Sequence, residues 1–148
     1  MAQITYNLQF RGSAAPGGDG GVMKATTSAT SCRMETTIGP DGVQGVFGPA
    51  EGGLAYFESE VRIATADSFT ESGNITFGDG DHTLRFSTVG QGHLGPSADP
   101  KQMHGSVIWR VDGGEGQFAG ATGLITSNFT LSDTGDVVDH HFGVIWVK

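Results

Sequence analysis

Residues 3–11 alternate without a break: Ile4, Tyr6, Leu8 and Phe10 fall on one side, and Gln3, Thr5, Asn7 and Gln9 on the other. Side chains of an extended chain point to opposite faces in turn, so this period of two predicts a strand with one apolar face. Residues 12–21 are small and glycine-rich and read as a loop, long enough for a lid or a rim. Residues 22–30 are threonine-rich and read as a second strand, with 31–37 continuing it past a bend. Gly39-Pro40-Asp41-Gly42, Gly45 and Gly48-Pro49 break up residues 38–53, so turns dominate there and leave room only for a short strand over 44–47. Residues 54–65 alternate again, with Ala55, Phe57, Ser59, Val61 and Ile63 on one face and Tyr56, Glu58, Glu60 and Arg62 on the other.

Residues 71–77 and 82–89 flank Gly78-Asp79-Gly80-Asp81 and predict a hairpin. Residues 90–101, with Pro96 and Pro100, read as a further loop. Strands over 105–111, 124–131 and 137–147 complete the set, the last two joined by a tight turn at Asp133-Thr134-Gly135. No stretch of ten or more residues shows a 3.6-residue period, so helix is minor. About eight short strands joined by turns point to an all-β sandwich or closed barrel. Val144-Ile145-Trp146-Val147 is apolar on both faces and needs cover on both, which makes a homo-oligomer, a dimer or trimer, the expected state.

Between the last strands lies Gly113-Gly114-Glu115-Gly116-Gln117-Phe118-Ala119-Gly120-Ala121-Thr122-Gly123. A phosphate-cradling glycine loop needs a following helix and a lysine at the right offset. The sequence runs instead into a β pattern, so the stretch reads as a corner between two barrel strands, with Phe118 as a buried plug.

The bulk numbers narrow the partners. At 148 residues the chain suits a single domain, residues 1–148, with a real core. A net charge of -8 with eight Lys and Arg argues against nucleic acid, and an anionic lipid surface would repel it. One cysteine, Cys32, excludes an internal disulfide and any CxxC metal site. The start lacks a basic n-region and an apolar h-region, so no signal peptide is expected. No apolar run approaches the ~20 residues of a spanning helix, and the compartment reads as cytoplasmic. His82, His93, His104, His140 and His141 show no HxH or HxxxH spacing, so neither a metal nor a cofactor is expected.

Two segments resemble a known group: Phe77-Gly-Asp-Gly-Asp-His-Thr-Leu-Arg-Phe86, and Gly114 to Gly123 with its Gly-x-Gly-x-Phe-x-Gly-x-x-Gly core. With the closing strand to Lys148 they make the C-terminal half of the chain similar to the allene oxide cyclase barrels, a group that includes dirigent proteins and bacterial polyketide cyclases of similar shape. The resemblance implies a calycin-like, eight-stranded antiparallel barrel with an apolar lumen, often a homo-oligomer. It implies cofactor-free cyclisation or isomerisation of a small apolar molecule, polyketide- or terpenoid-like. The alternative is a non-catalytic, dirigent-like protein that binds a hydrophobic ligand. In allene oxide cyclases a first-strand carboxylate acts electrostatically; here Tyr6-Asn7-Leu8-Gln9 offers amides, so Asn7 and Gln9 become candidate substrate contacts.

Candidate chemistry follows from strand parity. Adjacent strand residues diverge, so only one of His140 and His141 faces the lumen. His140 shares its face with Val138, Phe142, Val144 and Trp146, and this apolar company predicts that His140 is the inward one and a proton-transfer group. Phe142, Trp146 and Trp109 then become lumen-wall contacts. Tyr56 and Glu58, beside Glu60 and Arg62, are second-rank catalytic candidates if their face turns inward. Arg85, between Thr83 and Ser87, is placed to orient a carboxylate or enolate.

Overall fold

Alternation along each strand becomes curvature when every strand turns the same kind of face inward. The computed structural model, which describes residues 1–148, has nine antiparallel strands. They are β1 (Ala2–Pro16), β2 (Val22–Gly39), β3 (Gly42–Thr65), β4 (Ser68–Phe77), β5 (His82–Thr88), β6 (Gly92–Pro96), β7 (Gln102–Glu115), β8 (Thr122–Ser132) and β9 (Asp136–Val147). Hydrogen bonds run β1–β2–β3–β4, then through β5 and β6 to β7, β8 and β9, and β9 returns to β1. A sheet whose last strand pairs with its first closes into a ring and is a barrel. β5 and β6 both lie antiparallel to β4 and β7, so they form one stave interrupted at residues 89–91. The barrel therefore has eight staves. No helix is long and apolar enough to cross a membrane.

The inward faces follow the alternation. Phe10 on β1, Phe57 on β3, Ile75 on β4, Leu84 and Phe86 on β5, Trp109 on β7 and Ile125 on β8 are all buried. Burying each such side chain contributes roughly 1.5–3 kcal/mol. The rings of Phe57, Phe86 and Trp109 pack with centroids 4.4–5.5 Å apart across the middle of the bore. An eight-stranded barrel is just wide enough for side chains to fill. The bore is apolar as expected, but aromatic rings fill its middle, and free space lies toward the ends.

The glycine-rich stretch behaves as the expected corner. After β7 the chain makes a single 3-10 turn, Gly116–Phe118, and starts β8. Phe118 is buried against Phe77 at 5.3 Å and seals this end of the barrel. A Cβ at Gly114 would strike the carbonyl oxygen of Thr83, so the close crossing of β7 over β5 demands glycine.

Three segments read as loops or turns are strand. Residues 12–16 extend β1, because a Cβ at Gly12 would strike the Thr26 carbonyl and glycine allows that close approach. Residues 92–96 form β6. Residues 38–53 belong to a long arm in which β2 and β3 pair out to Gly39 and Gly42. Proline is tolerated at 49 because β3 pairs with β4 only from Ala55 onward, leaving Pro49 on an open edge. The arm is poorly covered: Ile38 is 87% exposed and Val43 70%.

Candidate functional site

Four loops ring the end of the barrel opposite the Phe118 plug: residues 17–21, 66–67, 97–101 and 133–135. Backbone bonds tie them into a rim, from Ile63 to Gly21, Leu94 to Asp67, Asp133 to Lys101 and Ala14 to Gly135. Behind the rim lies a chamber walled by apolar side chains, among them Met23, Val61, Phe69, Leu94 and Phe129. Its free volume is about 70 Å³ counted as space for water centres, where one water needs about 10–15 Å³. Two carboxylates face it, Glu71 and Asp139, together with the hydroxyl-bearing Thr27.

Each carboxylate has its own support. Ser59 Oγ donates to Glu71 Oε2 at 2.5 Å. Thr88 Oγ1 accepts from the Glu71 backbone N–H at 2.7 Å and donates to its carbonyl at 2.8 Å, replacing ladder bonds where the β5–β6 stave breaks. Burial pushes the Glu71 carboxyl up from its ordinary 4.5 to about 7. The Asp139 charge adds to the rise, while the hydrogen bond from Ser59 opposes it. Asp139 Oδ1 accepts from Ser127 Oγ at 2.6 Å, and its Oδ2 lies 2.9 Å from His141 Nε2. His141 is 2% exposed and sealed behind Asp139 by Phe10, Phe57 and Trp109, with ring centroids at 4.2, 5.4 and 5.0 Å.

Four buried polar atoms inside the barrel lack a partner: Tyr6 Oη, Thr27 Oγ1, Trp109 Nε1 and His141 Nδ1. A buried donor or acceptor left unpaired costs about 1–3 kcal/mol, and such groups collect where a ligand or a reaction supplies the partner. Burial raises the Tyr6 phenol well above its ordinary range, and the Asp139 charge adds to this. Tyr6 also lines an open cleft of about 490 Å³, where the start of β1 has left β2 and the wall is formed by Ile4, Leu8, Ala29 and Phe77.

Most of the residues predicted from sequence lie elsewhere. His140 is on the outer face, where its ring lies 3.4 Å from the Gln9 amide and 6.1 Å from the Phe47 ring, so the inward histidine is His141. Tyr56 is 48% exposed, and Glu58 and Arg85 are exposed too. Phe142 and Trp146 are 44% and 42% exposed on the same outer face as His140. Asn7 and Gln9 point outward opposite Phe142 and His140, and Asn7 accepts a 3.1 Å bond from Cys32 Sγ through its carbonyl. Trp109 alone of the predicted set is inside the bore.

The reason is parity. β9 is apolar on both faces, so hydropathy does not say which face turns inward. Pairing does, because Leu8 lies directly opposite His141 and Phe10 opposite Asp139, and paired residues share a face. Glu71 carried a legible signal that sequence reasoning missed: it shares its parity with Phe69, Ile75 and Phe77, an acid on an apolar face. No group of three or more His, Cys, Asp or Glu side chains is arranged to hold a metal ion. No family model, no curated protein and no solved structure matches the chain.

Proposed function

We propose that this protein is a cofactor-independent isomerase, cyclase or lyase acting on a small apolar molecule, polyketide- or terpenoid-like, in the rim-side chamber. The observation that carries this reading is the pair Glu71 and Asp139, two carboxylates facing one apolar space with different supports. Paired titratable groups in unlike environments divide acid and base roles. Asp139 takes a proton from a substrate carbon. Glu71, poised near neutrality, holds a proton to give to the developing oxyanion or to a second carbon. His141 and Ser127 fix the orientation of Asp139. The proton leaves one site and returns to another, so the net change is isomerisation, and ring closure follows where the enol meets an electrophile.

Native mass spectrometry of gently purified protein identifies what the chamber carries. That ligand, incubated with the protein in D2O, gains deuterium at carbon. Asp139→Asn and Glu71→Gln each slow this by about 10²–10⁴, the usual range for a general acid or base. A ligand held without exchange establishes the alternative, a non-catalytic hydrophobic-ligand-binding protein. A chamber that takes up nothing removes both.

A homo-oligomer fits the outer wall. Ile108, Leu124, Phe142 and Trp146 are exposed on adjoining strands β7, β8 and β9. β8 carries no acidic residue, and the one outward acid of β9, Asp136, lies at the start of the strand, away from Phe142 and Trp146, so in a chain of net charge -8 a second copy can approach this part of the wall with little like-charge repulsion. The free thiol of Cys32 suits a reducing, cytoplasmic setting.

A further inference from the structure

We infer that the chamber selects an organic cation, a protonated amine on a short apolar frame, by placing its ammonium group among Glu71, Asp139 and Thr27. This rests on the chamber as the ligand site of the proposed function and goes beyond that reading, because with Glu71 ionised the group that enters carries a positive charge.

Three observations meet here. The chamber holds two carboxylates, and all eight Lys and Arg side chains of the protein are on the exposed outside. No lysine or arginine lines the chamber to pair with an anionic ligand, and Asp139 already raises the protonation midpoint of Glu71. A positive group between them relieves that repulsion. Second, Thr27 is 5% exposed, lines the chamber, and its Oγ1 has no partner. A hydroxyl oxygen accepts from an ammonium N–H, which completes the unpaired group.

Third, each of the four rim loops carries an aspartate, Asp19, Asp67, Asp99 and Asp133, against a single cation, Lys101. A cleft ringed by one sign of charge concentrates ligands of the other sign. The rings of Phe57, Phe69 and Phe129 complete the wall, and aromatic faces attract cations.

The test uses the whole protein at pH 8, where Glu71 is mostly charged, and follows amide and methyl NMR shifts of chamber residues. The probes share one frame: butylammonium, butanol and butanoate. Butylammonium is expected to bind at least tenfold more tightly than butanol, with no saturable butanoate shift, and to weaken as salt rises. Glu71→Gln removes the preference for the ammonium while butanol binding stays. Thr27→Val, which keeps the side-chain shape and deletes only the unpaired hydroxyl, weakens butylammonium several-fold. Butanol binding as tightly as butylammonium overturns the inference and leaves the chamber as a neutral-ligand site. Butanoate binding best overturns it outright. Absence of any probe from the chamber overturns both this inference and the proposed function.

Discussion

Replacing Glu71 with glutamine turns the buried carboxylate into a measurable pH dependence. Burial raises the group from 4.5 to about 7 in the folded protein. Below 4.5 the carboxyl is protonated both folded and unfolded, and folding costs nothing extra. Between these values the folded chain holds a proton that the unfolded chain has released, so stability falls as pH rises. Above about 7 a charge sits in the apolar chamber and the full penalty is present. At 1.36 kcal/mol per pH unit the rise corresponds to about 3 kcal/mol. Glu71 is only partly shielded from solvent, so about 2–3 kcal/mol is the working figure.

Glutamine keeps a carbonyl for the Ser59 hydroxyl and carries no charge. Glu71→Gln should therefore match the natural chain near pH 4.5 and exceed it by about 2–3 kcal/mol at pH 8.5, or about 5–10 °C in Tm for a chain of this size. Urea unfolding at half-unit pH steps measures the difference curve. Asp139 and His141, the other titratable groups behind Glu71, remain in both proteins, and their direct contributions largely cancel in the difference. A constant offset between pH 4.5 and 8.5, or a variant that loses ground as pH rises, would refute the account of Glu71 as a desolvated carboxyl.

Two further outcomes follow from packing. Phe118→Ala empties the plug at the closed end and should cost about 3–5 kcal/mol, read as a lower urea midpoint with an unchanged slope; a loss under 1 kcal/mol would mean that the corner does not seal the barrel. Leu124→Ser combined with Phe142→Ser should convert an assembly to monomers in sedimentation or light scattering with the fold retained by circular dichroism; an unchanged mass would place the subunit contact on some other surface.

Local physics made the strands and their inward apolar faces readable. Where one face was apolar and the other polar, as in Ile4, Tyr6, Leu8 and Phe10, alternation marked the apolar face that the barrel turns inward, while at residues 54–65 the alternation was legible but left open whether Phe57 or Tyr56 and Glu58 faced the bore. The glycine-dense corner was legible too, since no other residue tolerates such close backbone crossings. Glycine and proline also misled: at Gly12, Gly45 and Pro49 they sit inside strands, because barrel curvature and an open edge admit residues that a flat central strand excludes.

The chemistry needed the closed sheet. On β9 both faces are apolar, and only its pairing with β1 turns Asp139 and His141 inward and leaves His140, Phe142 and Trp146 outside. Glu71 and Asp139 lie far apart in sequence, and the aspartates of the rim sit in four separate loops. Sequence determines which faces are apolar because hydropathy is a property of single residues. Which polar groups share one chamber is a property of register and ring closure, and these depend on how every strand pairs at once.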